Sequence, residues 1–400
     1  MIIAYIDPLS GIAIINSIIA FFVACFYNFR KYIYKIFDGK TKTKQSEISL
    51  FSEGKQYLST FIPIINNFIK EEVHIRYMTL DINDPILEID NKYLESSFLG
   101  FGYSGYKKAS EIESKILIST TPNIDCNKYP IKRSNKTKNL VHVFHSISDI
   151  SIYKKGSLNS YDTVILGGNF QLPSIRKIEK INNLKHKKCY NLGMPYLDYL
   201  VNEKNKIILN NKQTLLIASS WGDKSCLISH GTSWIKKLSG LINFDIIVRP
   251  HPQSFISDID MIKNLKTIVS EANNIFLDLN KSPSDSMAKA TFMISDTSSI
   301  RYDFAFIYEK PAITLNINKE DMISYEYSFL NSSWDESVRH LLGPVLNSPD
   351  LDFIVDYSKN SVKKIRDINR IRKLKNNTIK NFGNSSQSIV RKLIQISSDD

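Results

Sequence analysis

FMISDTSSIRYDFAFIYEKPAIT, residues 292–314, is an apolar run that opens onto small polar residues and then resumes at helical spacing. Phe292–Ile294 predicts a short strand buried on both sides, because consecutive apolar residues bounded by turn formers suit the interior of a parallel sheet. Ser295, Asp296, Thr297, Ser298 and Ser299 predict the turn, and Ile300–Tyr308 the helix. Ser298 or Ser299 at that helix start sets hydroxyls beside backbone N–H groups that lack an intrahelical acceptor, a combination that favours phosphate. Upstream, Ile246–Val248 predicts a companion strand delivering Arg249-Pro250-His251-Pro252 to the same sheet edge. A cation, an imidazole and a hydroxyl-rich helix start on two strand ends point to a diphosphate site. Asp296 also suits capping, and His251 a plain turn. Asp303, one turn after Ser299, either supports the turn or faces the ligand.

Working outward, apolar runs recur at Gln213–Ala218, Phe244–Val248, Asn274–Leu277 and Ala312–Leu315. Helical patterns fall between them at Leu227–Leu241, Ile256–Asn264 and Ser284–Ala288. This alternation predicts a doubly wound domain with ligands at the C-terminal strand ends. A second set of strands, Ile75–Thr79, Lys115–Ser119, Leu140–Phe144 and Asp162–Leu166, precedes it, with a helix at Ser174–Asn183 and a linking helix at Tyr196–Lys206. Gly54–Lys70 has Tyr57, Phe61, Ile64, Ile65 and Phe68 at helical spacing, with Pro63 expected to kink or split it. His142 and His145 straddle Phe144 at a strand spacing that sets them on opposite faces, so they do not share a metal; His142 is expected buried and His145 exposed. From Asp352 onward the chain is basic and helical, and the last helix starts at Ser385 or Ser386.

The full chain has 400 residues, enough for two α/β domains with ample cores. Its four cysteines are scattered without a CxxC pair, which argues against a disulfide framework or a structural zinc site. The formal charge of +12 is densest at Lys132, Arg133, Lys136 and Lys138 and along Lys363–Lys375. That balance points to anionic partners: a membrane surface, a phosphorylated polymer or nucleotide phosphates. No nucleic-acid module accompanies it. Leu9–Tyr27 is an uncharged run of about 19 residues, near the span of a hydrocarbon core, and basic residues follow rather than precede it. The positive-inside rule predicts an N-terminal membrane-anchor helix with everything beyond it in the cytoplasm, on the inner face of the cell membrane.

At the RPHP run, the SDTSSIRYDFAF segment and Lys310-Pro311-Ala312-Ile313, the chain resembles the CDP-glycerol:poly(glycerophosphate) glycerophosphotransferases, the teichoic-acid primases and polymerases. Ala218-Ser219-Ser220-Trp221-Gly222 is similar to the loop after the first strand of that family's nucleotide domain. Gly193-Met194-Pro195 with Asp198 is similar to its inter-domain segment, and Phe144-His145-Ser146 stands where the family carries tryptophan-histidine-glycine-threonine. The resemblance covers roughly residues 110 to 390 and implies a GT-B fold, two Rossmann-like domains facing a cleft. The expected division is anchor 1–30, polar linker 31–50, acceptor-side α/β domain 51–200, nucleotide-binding α/β domain 201–350 and basic helices 351–400.

The resemblance further implies transfer of an alditol phosphate from a CDP-linked donor, CDP-glycerol or a relative, to a hydroxyl of a membrane-associated glycan. His145 would be general base, His251 a second catalytic residue, and Arg249, Ser220, Trp221, Gly222, Asp296, Ser298 and Ser299 the donor contacts. No cofactor is implied. Many sugar-nucleotide transferases hold a metal on an Asp-x-Asp pair, but Asp258-Ile259-Asp260 is expected to open a surface helix, which favours a metal-independent site. One departure is plain: Ser146-Ile147 replaces the family's glycine-threonine, so the backbone after His145 is less permissive. Two other readings stay open, a GT-B glycosyltransferase using a nucleotide sugar and an inactive membrane-tethered scaffold.

Overall fold

A computed structural model of the chain describes residues 46–126, 128–150, 153–206, 212–280, 282–317 and 334–399, with 17 and 19–21. Seven strands form an all-parallel first sheet: β1 (Ser46–Ser52), β2 (Ile75–Thr79), β3 (Leu94–Phe98), β4 (Ser114–Ser119), β5 (Thr137–Val143), β6 (Thr163–Leu166) and β7 (Lys188–Asn191). Their spatial order is β3-β2-β1-β4-β5-β6-β7. A second parallel sheet has β8 (Thr214–Ala218), β9 (Asp245–Arg249), β10 (Ile275–Leu277), β11 (Phe292–Ser295), β12 (Ala312–Leu315) and β13 (Val345–Leu346), in the order β10-β9-β8-β11-β12-β13. Both sheets reverse direction beside their first strand, which is the doubly wound arrangement with its topological switch point. Strands β6, β8, β11 and β12 are mostly apolar and buried at every residue, as strands covered by helices on both faces require, and β2 is equally buried although it carries Arg76, which donates to the Glu113 carbonyl.

The expected polar linker ends early. Ser46–Ser52 is an interior strand of the first sheet, between β2 and β4, and Ile48, Leu50 and Phe51 are buried there. The helical segment after it begins at Leu58 and runs to Lys70 as α1, and Pro63 is accommodated inside it without splitting it. The expected helix at Leu227–Leu241 is broken into Cys226–Ser229 and Ser233–Ser239, because Gly231 adopts a φ of +69° between them.

Helix α2 spans Leu172–Ile181, helix α3 (Pro195–Lys204) joins the domains, and helix α4 (Ile259–Ser270) follows β9 in the second. One continuous apolar core crosses between the domains, running from Phe144, Ile147, Met194 and Tyr196 to Met287, Tyr302 and Phe304. The C-terminal helices do not form a separate unit. α6 (Ser361–Thr378) contacts α5 (Ile300–Tyr308) of the second domain, whereas α7 (Ser385–Asp399) buries Ile389, Val390, Leu393 and Ile396 in the core of the first.

The crossing is tight. At Gly193 (φ +97°) a Cβ would lie 2.2 Å from both the Lys380 carbonyl oxygen and Ser385 Oγ, so no other residue fits without movement. Asp198 on α3, rather than a serine of the helix itself, caps α7: its carboxylate accepts the Ser385 N–H at 3.0 Å and the Ser386 N–H at 2.7 Å.

The expected membrane anchor lies outside the described residues except for 17 and 19–21. Among the described residues no helix is long and apolar enough to cross a membrane.

Candidate functional site

In the second domain the switch point lies between β8 and β11, and crevices at such points are where doubly wound sheets bind ligands. Asp296, the first residue beyond β11, is fully buried. Its carboxylate accepts backbone N–H groups from Ser220 (3.0 Å), Cys226 (2.8 Å) and Ser298 (3.0 Å). Burial raises its pKa above the ordinary carboxylate value, and those N–H groups offset part of the rise. Asp296 therefore does not face a ligand as expected; it is a positioning residue that ties the loop after β8 to the loop after β11.

Around this tie stand polar groups of a kind that accommodates an anion. Ser299 occupies the N-cap of α5 without a capping bond from its side chain, and Ser298 is half-buried beside it. The hydroxyls of Ser219 and Ser295, at the ends of β8 and β11, are buried with no partner among the described residues. Unsatisfied buried hydroxyls at a strand edge suit a ligand or an ordered water. Trp221 is 49% exposed, and its ring centroid lies 6.4 Å from that of His251.

Gly222 holds φ +64° and donates its N–H to Asp258 Oδ2 at 3.0 Å. Asp258 is thus committed to this loop, while Asp260 pairs with Lys263 at 3.2 Å in solvent. The two carboxylates of the Asp-x-Asp letters do not converge, and no metal-binding cluster of three His, Cys, Asp or Glu side chains occurs among the described residues.

His251 Nδ1 accepts the Gln253 N–H at 3.1 Å, which assigns the proton of the neutral ring to Nε2 and makes that nitrogen a donor. Burial lowers its pKa, Arg249 adds to the lowering, and Asp296 and Asp258 oppose it. Arg249 departs from expectation. Its guanidinium donates to Asp278 Oδ2 at 2.6 Å, with the two side chains 8% and 3% exposed. Asp278 also accepts the Ser286 hydroxyl and the Asn280 N–H. Burial alone would raise the Asp278 carboxyl, but these three donors hold it below the ordinary value. Arg249 is an internal counter-ion whose charge reaches His251.

In the first domain the switch point lies between β1 and β4. Glu53, just past β1, accepts the Thr121 hydroxyl at 2.8 Å and the Tyr129 hydroxyl. His145, two residues past β5, meets Tyr57 edge-on at 4.9 Å between ring centroids. His145 keeps a narrow solvent edge but is otherwise surrounded by protein, and its Nδ1 has no partner among the described residues. That desolvation lowers its pKa to about 4, partly offset by a hydrogen bond with the Thr120 backbone. His142 is fully buried against the rings of Phe144, Tyr153 and Tyr161, and burial holds its pKa well below the ordinary value.

Ser220, Trp221, Gly222, His251, Asp296 and Ser298 thus gather around one strand edge, with Ser299 next to them in the turn. His145 belongs to the other domain with Glu53, Tyr57, Thr121 and Tyr129. The small residues Ser52 and Gly54 flanking Glu53 after an apolar run were the available signal for that second group.

The two groups meet through Asp303, which accepts the Tyr196 hydroxyl at 2.8 Å. Burial pushes the Asp303 carboxyl up to about 7, and the Tyr196 hydroxyl offsets part of this. A carboxyl raised in the folded state lowers stability as pH climbs from about 4, its unfolded value, through that folded pKa. Asp303→Asn is therefore expected to leave stability unchanged near pH 4 and to raise it by about 1–3 kcal/mol at pH 8. Chemical denaturation at the two pH values measures this, and equal effects at both would contradict it.

No family profile and no curated protein matches the sequence. The fold is similar to that of the wall teichoic acid polymerase TagF, at 15% identity and a TM-score of 0.59, over 88% of this chain and 89% of that one. The structure of the same polymerase soaked with CDPG aligns at the same identity and TM-score over 92% and 93%. UDP-GlcNAc 2-epimerase from Methanocaldococcus jannaschii aligns at 14% identity and a TM-score of 0.54, over 88% of this chain and all of that one. These likenesses show the fold, two Rossmann-like domains in the GT-B manner.

Proposed function

We propose that the chain is a membrane-associated transferase of the glycerophosphotransferase family, moving an alditol phosphate from a CDP-linked donor, most simply CDP-glycerol, to a hydroxyl of a surface-polysaccharide acceptor. The observation that carries this reading is the second-domain switch point. Its hydroxyls, a helix N-terminus and the Nε2–H donor of a neutral His251 gather there, with the Asp296 carboxylate turned inward onto three backbone N–H groups and Asp258 held by the Gly222 N–H. Such a constellation accommodates a diphosphate. The fold likeness to a teichoic acid polymerase soaked with CDPG supports the donor class.

In this mechanism the acceptor oxygen attacks the donor's β-phosphorus while its proton passes to His145. The bond between the β-phosphorus and the bridging oxygen breaks, and CMP leaves with the electron pair. His251, Ser298, Ser299 and the N–H groups at the start of α5 stabilise charge on the diphosphate oxygens. Glu53, with two hydroxyls already donating to it, keeps lone pairs for a neutral acceptor hydroxyl and disfavours an anionic one. His145, expected exposed, is largely enclosed, and this matters here: a pKa of about 4 keeps the ring neutral and able to accept a proton near pH 7, although it is a weaker base than an ordinary imidazole.

A nucleotide-sugar transferase is the second reading, favoured by Ser146-Ile147 in place of the family's glycine-threonine and by the likeness to nucleotide-sugar epimerases. Calorimetric titration with CDP-glycerol and with UDP-linked sugars, with and without EDTA, tests the donor assignment. The expected result is EDTA-insensitive binding of CDP-glycerol; selective binding of a UDP-sugar would favour the second reading.

Membrane association rests on the Leu9–Tyr27 run and on Ile19 and Phe21, which are helical and left 54% and 66% exposed. The protein is expected to fractionate with membranes, and deletion of residues 1–28 to release a folded, nucleotide-binding protein. Recovery of the full chain in the soluble fraction would contradict this.

A further inference from the structure

We propose that Tyr196 and Asp303 are positioning residues that set the His145 loop from helix α5, the helix whose start carries the Ser298–Ser299 turn. The inference rests on the reading of that turn and His145 as two halves of one site. The Ile147 N–H, two residues beyond His145, donates to Tyr196 Oη at 2.9 Å, and the Tyr196 O–H donates to Asp303 Oδ1 at 2.8 Å. Tyr196 is 3% exposed and Ile147 1%, so water does not substitute readily for either partner.

The phenol uses its one proton toward the second domain and a lone pair toward the first, so moving either partner costs a bond. Burial, with the Asp303 charge and its hydrogen bond adding to it, holds the Tyr196 hydroxyl protonated by raising its pKa well above the ordinary value, and it therefore remains the donor to Asp303.

The far side of the same loop has a separate tie. Asp149 accepts the Trp334 N–H at 2.9 Å and the Ser174 hydroxyl at 3.1 Å. Asp149 thus anchors one end of the loop, and the end nearer His145 is set through Tyr196. A bond that merely closed an interface could end anywhere along it. This one ends two residues from the proposed base and, on the other side, four residues from Ser299, on the helix the proposed donor would cap.

The experiment compares Tyr196→Phe, Asp303→Leu and Asp303→Asn in the full chain. Hydrogen–deuterium exchange of the 144–150 segment is read without ligand, alongside CDP titration and turnover of CDP-glycerol. Tyr196→Phe and Asp303→Leu are expected to speed exchange in that segment by about tenfold, the scale of one lost hydrogen bond. CDP affinity should stay within about twofold while turnover falls about tenfold or more, a split a purely structural role would not give. Asp303→Asn keeps an acceptor for the Tyr196 hydroxyl and should retain slow exchange and turnover.

Unchanged exchange in both Tyr196→Phe and Asp303→Leu would overturn the proposal, as would an Asp303→Asn protein that behaves like Asp303→Leu. If Tyr196→Phe does not fold, the two Asp303 variants carry the comparison. A wild-type protein that fails to consume CDP-glycerol would remove the functional reading, and the exchange measurements would still decide whether the loop is set from α5.

Discussion

His145→Ala is expected to lower turnover by about 10² to 10⁴ with CDP affinity nearly unchanged, the usual range for loss of a positioned general base. The two effects separate because His145 stands in the first domain with Tyr57 and Glu53, whereas the proposed diphosphate contacts belong to the second. The pH dependence carries a sharper test. Desolvation lowers the His145 pKa to about 4, so the acid limb of kcat/KM for the free enzyme should fall near that value rather than near neutrality. Below it the ring is protonated and cannot accept the acceptor's proton; above it the base is available. A bound diphosphate brings negative charge to the cleft and favours the imidazolium, so the limb in kcat should move to higher pH. Both limbs should vanish in His145→Ala and survive in a His142 variant. Near-normal turnover in His145→Ala would remove the base and much of the case for the first-domain half of the site.

Arg249→Ala is expected to destabilise the protein by about 3–5 kcal/mol, the cost of stranding one partner of a buried ion pair. The stranded partner is Asp278, 3% exposed, whose other donors are the Ser286 hydroxyl and the Asn280 N–H. Asp278→Ala should cost a comparable amount, because it leaves the guanidinium buried without its carboxylate. The double variant should cost clearly less than the sum, which is the signature of coupling between the two. Denaturant melts of the four proteins measure this. Additive losses would show that the pair is not coupled, and a stable Arg249→Ala protein with weakened CDP binding would return Arg249 to the role of direct phosphate ligand.

The second domain was readable because its site is contiguous with its strands. Apolar residues 292–294 run straight into the serines and aspartate that form the switch-point turn, and Ala312–Leu315 was bounded correctly by its own β-branched and apolar residues. In the first sheet Ile75–Thr79 was equally clear.

What escaped were strands with few apolar residues. β3 reads LESSF and β7 reads KCYN, at the two edges of the sheet, where one side of the strand has no neighbour to bury against. β1 escaped although it lies inside the sheet, because Ser49 and Ser52 occupy buried positions and leave only Ile48, Leu50 and Phe51 as signal. Missing β1 also hid Glu53, whose partners Thr121 and Tyr129 lie 68 and 76 residues away and are gathered only by the sheet.

Asp296 and Arg249 bond within the protein rather than facing outward. A carboxylate beside serines and an arginine at a strand end read as ligand contacts, yet the nearby backbone N–H groups and Asp278 claim them first.

Phosphoryl transfer from a CDP-linked donor is distinguished from glycosyl transfer by the nucleotide released. The purified 400-residue chain is incubated with CDP-glycerol and membranes carrying acceptor, and the released nucleotide is identified. CMP is the expected product, because attack at the β-phosphorus leaves the α-phosphate on the nucleoside. Release of a nucleoside diphosphate from a nucleotide sugar, with no CMP from CDP-glycerol, would contradict it.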